Sequence, residues 1–291
     1  MRSGWIGALI CVLMLICGLS LPLRSCRADT DAADGMTQAV SGVAETARKI
    51  QDKTRYGYDD NISLLGAYLK ADTTITLTRQ FKKGEKYALL GSGDGDAQEV
   101  DIYVNNAANE RVAEDAGGDA QAIIEFEPAR TGKFSVVLKL HRSKAKASFC
   151  TLAILRKGGW NVPDSNFVDA MAKCIAICSR LGRDRKDLHY TDQANQWSLF
   201  GGVLESQQDA TLPNITLGSG KRIVVAAGDG NAQEVGLFLL SNRGDVVEKD
   251  SGSDATSIFE YKTNGSNAYG IRVKNAKSKG PSMILAAILA E

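Results

Sequence analysis

The sequence predicts a mainly β protein with two tandem antiparallel β-sandwich domains of jelly-roll type, each preceded by one amphipathic α-helix. Three observations predict this fold. A long internal repeat runs through the chain, and apolar residues alternate with a period of two over most of each copy. Each copy also opens with apolar residues at spacings of three and four, which is the pattern of an amphipathic helix.

The repeat is clearest in a short glycine-rich and acidic segment. Gly93 to Val100 reads GDGDAQEV and Gly228 to Val235 reads GDGNAQEV, so seven of eight residues are identical at an offset of 135. The same offset aligns Asp115 with Asp250 further along the chain. Because the register holds over long stretches, the repeated unit is a whole domain, covering roughly 36–155 and 171–290.

The two helical segments define the domain organisation. One apolar stripe runs through the start of the first copy and a second through the start of the other. Paired glycines and charge in the segment RKGGWN separate the copies. We predict a signal peptide at 1–28, a helix and sandwich at 29–155, a linker at 156–166, and a second helix and sandwich at 167–291. Each sandwich is expected to fold independently. The stripes comprise Met36, Val40, Val43, Ala47 and Ile50, and Phe167, Met171, Cys174, Ile175, Cys178 and Leu181.

Short alternating runs after each helix predict strands. Val100, Ile102 and Val104 alternate with polar or aromatic neighbours, and Val235, Leu237 and Leu239 repeat the phase. Such runs recur with turn residues between them, which is typical of a sandwich. We predict eight strands in the first copy, near 63–69, 73–80, 86–91, 98–105, 109–114, 121–127, 133–140 and 148–155.

The N-terminus has the layout of an export signal. Arg2 precedes an apolar run that extends to Leu23, and small residues before Ala28 indicate cleavage after that residue. Two alternatives stay open: a lipoprotein anchored at Cys26, or an uncleaved N-terminal anchor. We therefore expect a periplasmic or secreted protein, with membrane attachment only through an uncleaved or lipidated N-terminus.

Charge and composition exclude some partners. Cleavage removes three arginines from 35 basic residues and leaves 34 acidic residues intact, so the mature chain has a small net negative charge. We expect no nucleic-acid partner, because a basic excess is missing. Three cysteines remain, at Cys150, Cys174 and Cys178, which is too few for a disulfide scaffold. Their disulfide state stays open, although Cys174 and Cys178 lie on the helical stripe and are expected to be small core residues.

Candidate catalytic residues are few. Nucleophilic catalysis needs a base, and the chain has only His141 and His189, neither of which has a histidine counterpart in the other copy. Both are expected to be surface residues. A hydrolase would instead have to use carboxylates such as Glu99 and Asp101 as acid and base, so we predict a protein without enzymatic activity and keep the hydrolase as an alternative.

The segment Gly93 to Leu140 carries a family resemblance. It has an acidic turn, the strand DIYV at Asp101 to Val104, an aspartate loop, and EPARTGKF at Glu127 to Phe134. In this it resembles the bacterial pre-peptidase C-terminal domain, of which the chain would hold two copies. The second copy departs from the pattern, because Gly236 replaces the strand aspartate. The resemblance implies a β-sandwich that accompanies secreted hydrolases without performing their chemistry.

One acidic cluster has the composition of a metal site. Asp94, Asp96, Glu99 and Asp101 offer carboxylate oxygens at close spacing, as a weak calcium site would. The same residues suit a tight turn, since aspartate caps its own backbone and glycine accepts unusual φ. The second copy keeps only part of the set, because Asn231 and Gly236 replace two carboxylates. We therefore expect a structural corner and no cofactor, and keep a weak calcium site as the alternative.

Ligand binding is the function class that remains. Only 7% of residues are aromatic, and Tyr103 and Phe238 share an aligned, outward-facing position. This position suits a ligand contact, and equally a role in packing at a sheet edge or against a partner. We predict a non-catalytic module that binds protein or polysaccharide at the cell envelope. An accessory subunit that docks onto a larger complex through its helices is the alternative.

Overall fold

The protein is described here by a computed structural model, which covers residues 30–192, 195–265 and 267–291. The predicted signal peptide and the lipoprotein position Cys26 lie outside these residues. Within the described ranges, no helix is long and apolar enough to cross a lipid bilayer. The chain is mainly β, with antiparallel sheets and two helices, which confirms the predicted class.

Among the described residues, one helix and nine strands are followed along the chain by a second helix and nine further strands. Both helices lie immediately before their set of strands. In order the elements are α1 (Thr30–Gln51), β1 (Tyr56–Tyr58), β2 (Leu64–Lys70), β3 (Thr73–Phe81), β4 (Tyr87–Gly93), β5 (Ala97–Asn105), β6 (Arg111–Asp115), β7 (Gln121–Phe126), β8 (Gly132–Ser143), β9 (Ala147–Lys157), α2 (Asp164–Asp184), β10 (His189–Tyr190), β11 (Leu199–Leu204), β12 (Asp209–Thr216), β13 (Ser219–Gly228), β14 (Ala232–Leu240), β15 (Val246–Asp250), β16 (Thr256–Asn264), β17 (Ala268–Ser278) and β18 (Ser282–Ala290).

Alternation places one face of β5, and of several other strands, in the core. In β5, Val100, Ile102 and Val104 are fully buried, while Tyr103 and Asn105 are partly exposed. The eight predicted strands of the first copy correspond to β2 to β9, with ends that differ by a few residues. The short strands β1 and β10 were not predicted. The predicted linker is shorter than expected, because β9 continues to Lys157 and α2 begins at Asp164.

Each half is built from two facing sets of four strands. In the first half, β2, β9, β4 and β7 form one set in that order, and β3, β8, β5 and β6 form the other. The second half repeats the arrangement with β11, β18, β13 and β16, and with β12, β17, β14 and β15. The apolar faces of the facing sets enclose the core.

The two halves share one sheet. Strand β2 pairs with its counterpart β11 in an antiparallel register, so that Leu65 faces Phe200, the equivalent residue of the other copy. Ser63 N donates to Gly201 O and Ser198 N donates to Gly66 O, both at 2.8 Å, which is the same hydrogen bond made twice. This pairing, which we call the seam, joins both inner sets into one ten-stranded sheet. The sandwich interiors form one continuous apolar cluster across it.

Both helices pack on the other face of the ten-stranded sheet. The predicted stripe of α1 is buried there, with Met36, Val40 and Val43 almost inaccessible to solvent. The stripe of α2 is buried in the same layer, and Arg48 Nε near the end of α1 lies 3.2 Å from Asp164 Oδ2 at the start of α2. The molecule therefore has three layers, which are the helices, the shared sheet and the two outer sheets.

Candidate functional site

The repeated GDG turn is closed by one aspartate in each half. Asp94 Oδ1 accepts from the backbone N–H of Asp96 and Ala97 at 3.1 and 3.2 Å, and its Oδ2 accepts from Phe149 N at 2.7 Å. Asp229 makes the equivalent contacts, with Met283 N at 2.9 Å from its Oδ2, and is fully buried. Both carboxylate oxygens are therefore used to hold the turn against the neighbouring strand.

The aspartates at the ends of β6 and β15, and in the loops that follow, also accept hydrogen bonds from the backbone of the next strand. Asp115 Oδ2 accepts from Ile123 N and Asp250 Oδ2 accepts from Ile258 N, both at 2.7 Å. Asp254 Oδ1 accepts from Thr256 N and Oγ1, and these hydrogen bonds lower the pKa of Asp254 below its usual value. These carboxylates fix strand ends, which is the common role of aspartate in tight turns.

The four predicted calcium ligands are not brought together. Among the residues that the structure describes, Glu99 and Asp101 form a group with His141, in which one ligand atom from each lies within 4.8 Å of the others. Both carboxylate oxygens of Asp94 accept backbone hydrogen bonds, and Asp96 is exposed to solvent. Glu99 and Asp101 lie on β5, which pairs with β8, the strand that carries His141.

Tyr103 and Phe238 lie on the outer faces of their sheets, and each has an arginine stacked on its ring. The guanidinium carbon of Arg111 is 3.9 Å from the Tyr103 ring centroid, and that of Arg272 is 4.6 Å from the Phe238 centroid. Tyr103 also donates a hydrogen bond to Asp101 Oδ2 at 2.8 Å. Burial, as the main cause, and the hydrogen bond to the Asp101 carboxylate, as the second, raise the pKa of Tyr103 to about 12. One face of each ring is thus already occupied.

A cleft lies over the seam, where the outer sheets of the two halves approach each other. Its walls are the edge strands β3 and β12, which are counterparts in the repeat. The cleft has a volume of about 370 Å³, and its lining, as far as the structure describes it, includes two basic side chains, Arg79 and Lys133, and no acidic one. We call it the seam cleft. It is lined by Asn61, Ile62, Leu77, Thr78, Arg79, Gln80, Lys133, Thr211, Leu212, Pro213 and Asn214.

A charged network that sequence reasoning missed holds one wall of the seam cleft. Buried Asp59 accepts from Arg79 Nη2 at 2.5 Å and from Arg156 Nε at 2.8 Å. Arg79 Nη1 also donates to the Ile62 carbonyl at 3.0 Å. The signal in the sequence is weak, because the network has no equivalent in the second copy, where Asn214 stands at the position of Arg79.

A second, more apolar groove separates the two helices. It has a volume of about 320 Å³, and Val168 at its rim is 62% exposed. Most of each apolar stripe is buried against the sheet. Val40, Phe167, Met171 and Ile175 of the stripes also line this groove, so it is an apolar surface that a partner of the helices could contact. The other lining residues are Thr37, Ser41, Val168, Ala172 and Ala176.

The three described cysteines are free and buried. Cys174 and Cys178 lie one helical turn apart on the buried face of α2, as the apolar stripe predicted. The hydrogen bond with Cys178 and burial raise the pKa of the Cys174 thiol well above its ordinary value. Burial also raises the pKa of Cys150. Neutral, inaccessible thiols are poor nucleophiles and poor metal ligands.

No family model matches this chain. No curated protein matches it either. Among solved structures, tandem CBM51 modules of a family 98 glycoside hydrolase from Streptococcus pneumoniae are 10% identical and cover 83% of this chain and 95% of their own, with a TM-score of 0.24. Tandem CBM22 domains from Paenibacillus barcinonensis are also 10% identical, over 81% and 92%, with a TM-score of 0.22. PliG of Aeromonas hydrophila, a periplasmic lysozyme inhibitor, is 15% identical over 32% and 86%, with a TM-score of 0.25. Values this low assign neither a family nor a ligand.

Proposed function

We propose that this protein is a non-catalytic extracytoplasmic binding module, built from two tandem jelly-roll sandwiches of the pre-peptidase C-terminal type, that binds a protein partner in the seam cleft. The observation that carries the proposal is the position of this cleft beside a regular edge strand. The partner is expected to present an extended segment with acidic side chains.

The edge strand β3 is suited to main-chain recognition. All nine of its residues pair with β8 in an unbroken register, and β3 ends its sheet, so its outer edge offers backbone N–H and C=O groups. An extended peptide can add to such an edge and gain main-chain hydrogen bonds. The opposite wall β12 is blunted by Pro213 and by an irregular register between Leu212 and Ile215. We therefore assign the peptide to β3.

The side chains of the cleft favour a peptide over a sugar. Carbohydrate sites need aromatic platforms, and the described lining of the seam cleft has no aromatic ring. Lys133 is exposed, and the described lining residues include no acidic side chain that would neutralise its charge. An acidic segment would complement this charge and speed the encounter.

The hydrolase alternative has less support. Glu99 Oε2 is held by Arg142 Nε at 2.6 Å, and Asp101 is covered by Tyr103. Neither carboxylate lines the seam cleft or the groove between the helices. An acid and base pair needs a substrate cleft between its members.

The test is photo-crosslinking in the native envelope. A photoreactive residue at Thr78 on β3 is expected to capture a discrete protein, and the same residue at exposed Lys146, on the hairpin between β8 and β9, is expected to capture none. Lys133→Glu should weaken capture strongly, whereas Lys146→Glu, with the same charge change, should not. Capture from Val168 alone would instead support docking through the helix groove, and recovery of glycan without protein would support the polysaccharide alternative.

A further inference from the structure

The first half holds a group of three potential metal ligands that the second half lacks. Glu99 and Asp101 lie on β5, and His141 lies on the adjacent strand β8. The register between these strands shifts on both sides of Glu99, so His141 is left without a paired residue opposite it. A β-bulge of this kind can re-aim a side chain, and here it places His141 beside the two carboxylates.

Asp101 provides the observation that points to a ligand. Asp101 is only 2% exposed, and its Oδ2 accepts a hydrogen bond from the Tyr103 hydroxyl. Its Oδ1 is shielded from solvent and has no hydrogen-bond partner. A buried carboxylate oxygen without a partner is costly, and a bound cation would compensate for it.

The geometry points to one Zn²⁺-type transition-metal ion bound by Glu99, Asp101 and His141, and we propose this group as a metal site. The mixed set of one imidazole nitrogen and two carboxylate oxygens suits Zn²⁺. Calcium instead prefers six to eight oxygen ligands, which this group does not offer. Three protein ligands would leave the fourth position to water.

Small movements would complete the site. Tetrahedral zinc with bonds of about 2.1 Å places its ligand atoms about 3.4 Å apart, and the ligand atoms of this group already lie within 4.8 Å of one another. His141 can move, because its side chain is 42% exposed. The ammonium group of Lys139 lies beside His141 in this structure. Its Nζ is 2.8 Å from His141 Nδ1 and 3.4 Å from Asp72 Oδ1. The metal ion would displace this ammonium group.

The repeat supplies an internal control. Strands β14 and β17 have the same irregular register at Glu234, but Gly236 and Ala276 stand where the first half has Asp101 and His141. The second half therefore keeps the backbone and one carboxylate without the other two ligands. One ion per chain is expected, and not two.

Isothermal titration of the chelated, untagged chain with Zn²⁺ tests the site. We expect one ion per chain, binding at least tenfold weaker in Asp101→Asn and in His141→Ala, unchanged binding in Glu234→Gln, and far weaker binding of Ca²⁺. Co²⁺ should show no thiolate charge-transfer band, which separates this site from the cysteines. If Asp101→Asn does not fold, His141→Ala decides. Absence of stoichiometric Zn²⁺ binding, equal binding of Ca²⁺, or affinity unaffected in His141→Ala would overturn the proposal.

Discussion

Gly201, in the seam strand β11, is the position at which a single methyl group should be most damaging to the shared sheet. A Cβ built there would lie 2.1 Å from the Ile284 carbonyl oxygen and 2.7 Å from Leu285 Cδ2. Strand β11 pairs with β18 on one side and with β2 on the other, so it cannot move away from Ile284 without breaking a ladder. Overpacking costs about 1–3 kcal/mol, and the rigid backbone neighbour places Gly201→Ala near 3 kcal/mol. At about 2–4 °C per kcal/mol, the melting temperature should fall by about 6–12 °C.

The assay is urea and thermal unfolding, followed by circular dichroism and by tryptophan fluorescence. Gly118→Ala is the control, because a Cβ at Gly118 meets no atom within 4 Å, and it should change the free energy of unfolding by less than about 0.5 kcal/mol. Since both halves share one sheet and one apolar cluster, Gly201→Ala should shift a single transition. A midpoint equal to that of Gly118→Ala would refute the steric argument. Two transitions, of which only one moves, would instead support independent folding of the halves.

Three further outcomes are expected from the buried polar groups. Asp229→Ala should destabilise the chain by about 1–3 kcal/mol in urea unfolding, because it leaves the buried Met283 N–H without an acceptor, whereas exposed Asp96→Ala should be close to neutral. The thiols of Cys174 and Cys178 should react with a thiol reagent at pH 8 only after unfolding, and rapid reaction of the native chain would contradict their burial. Hydrogen bonds from Arg185 and Lys221 lower the pKa of Glu260 below 4.5, so this group contributes stability above its unfolded pKa that is lost as the pH falls through its folded pKa. Glu260→Gln should therefore flatten the acid side of a stability–pH curve, and an unchanged curve would show that the pairs contribute nothing measurable.

Strand positions could be predicted because most strands have one buried face. The alternation in β5 and β14 follows directly from that burial, and the turns between strands carry aspartate, asparagine and glycine. Strands β9 and β18 are different, since their central residues are buried on both faces. Their continuous apolar runs were a signal that helices cover the second face, because strands covered on both sides lose their alternation.

The seam and the two clefts could not be predicted from the sequence. Pairing of β2 with β11 depends on which edges meet, and neither strand carries a motif that specifies its partner. The seam cleft arises only after that pairing, because its lining comes from three separate parts of the chain, at 61–80, at Lys133 and at 211–214. The group of Glu99 and His141 depends on a bulge, and a bulge of one residue changes which side chains share a face.

The two copies keep the same backbone features and differ in several polar side chains. Both halves keep the GDG turn and the aspartates that close the turns after β6 and β15. Both also keep the irregular strand register at Glu99 and Glu234. Two side chains that could bind a ligand are present in the first half only, because Asn214 and Ala276 stand at the positions equivalent to Arg79 and His141. The second half has buried polar groups of its own, since Arg222 and Asn275 stand where the first half has Tyr87 and Leu140, and both donate to backbone carbonyls. The seam cleft wall and the proposed metal site both use polar groups that only the first half carries.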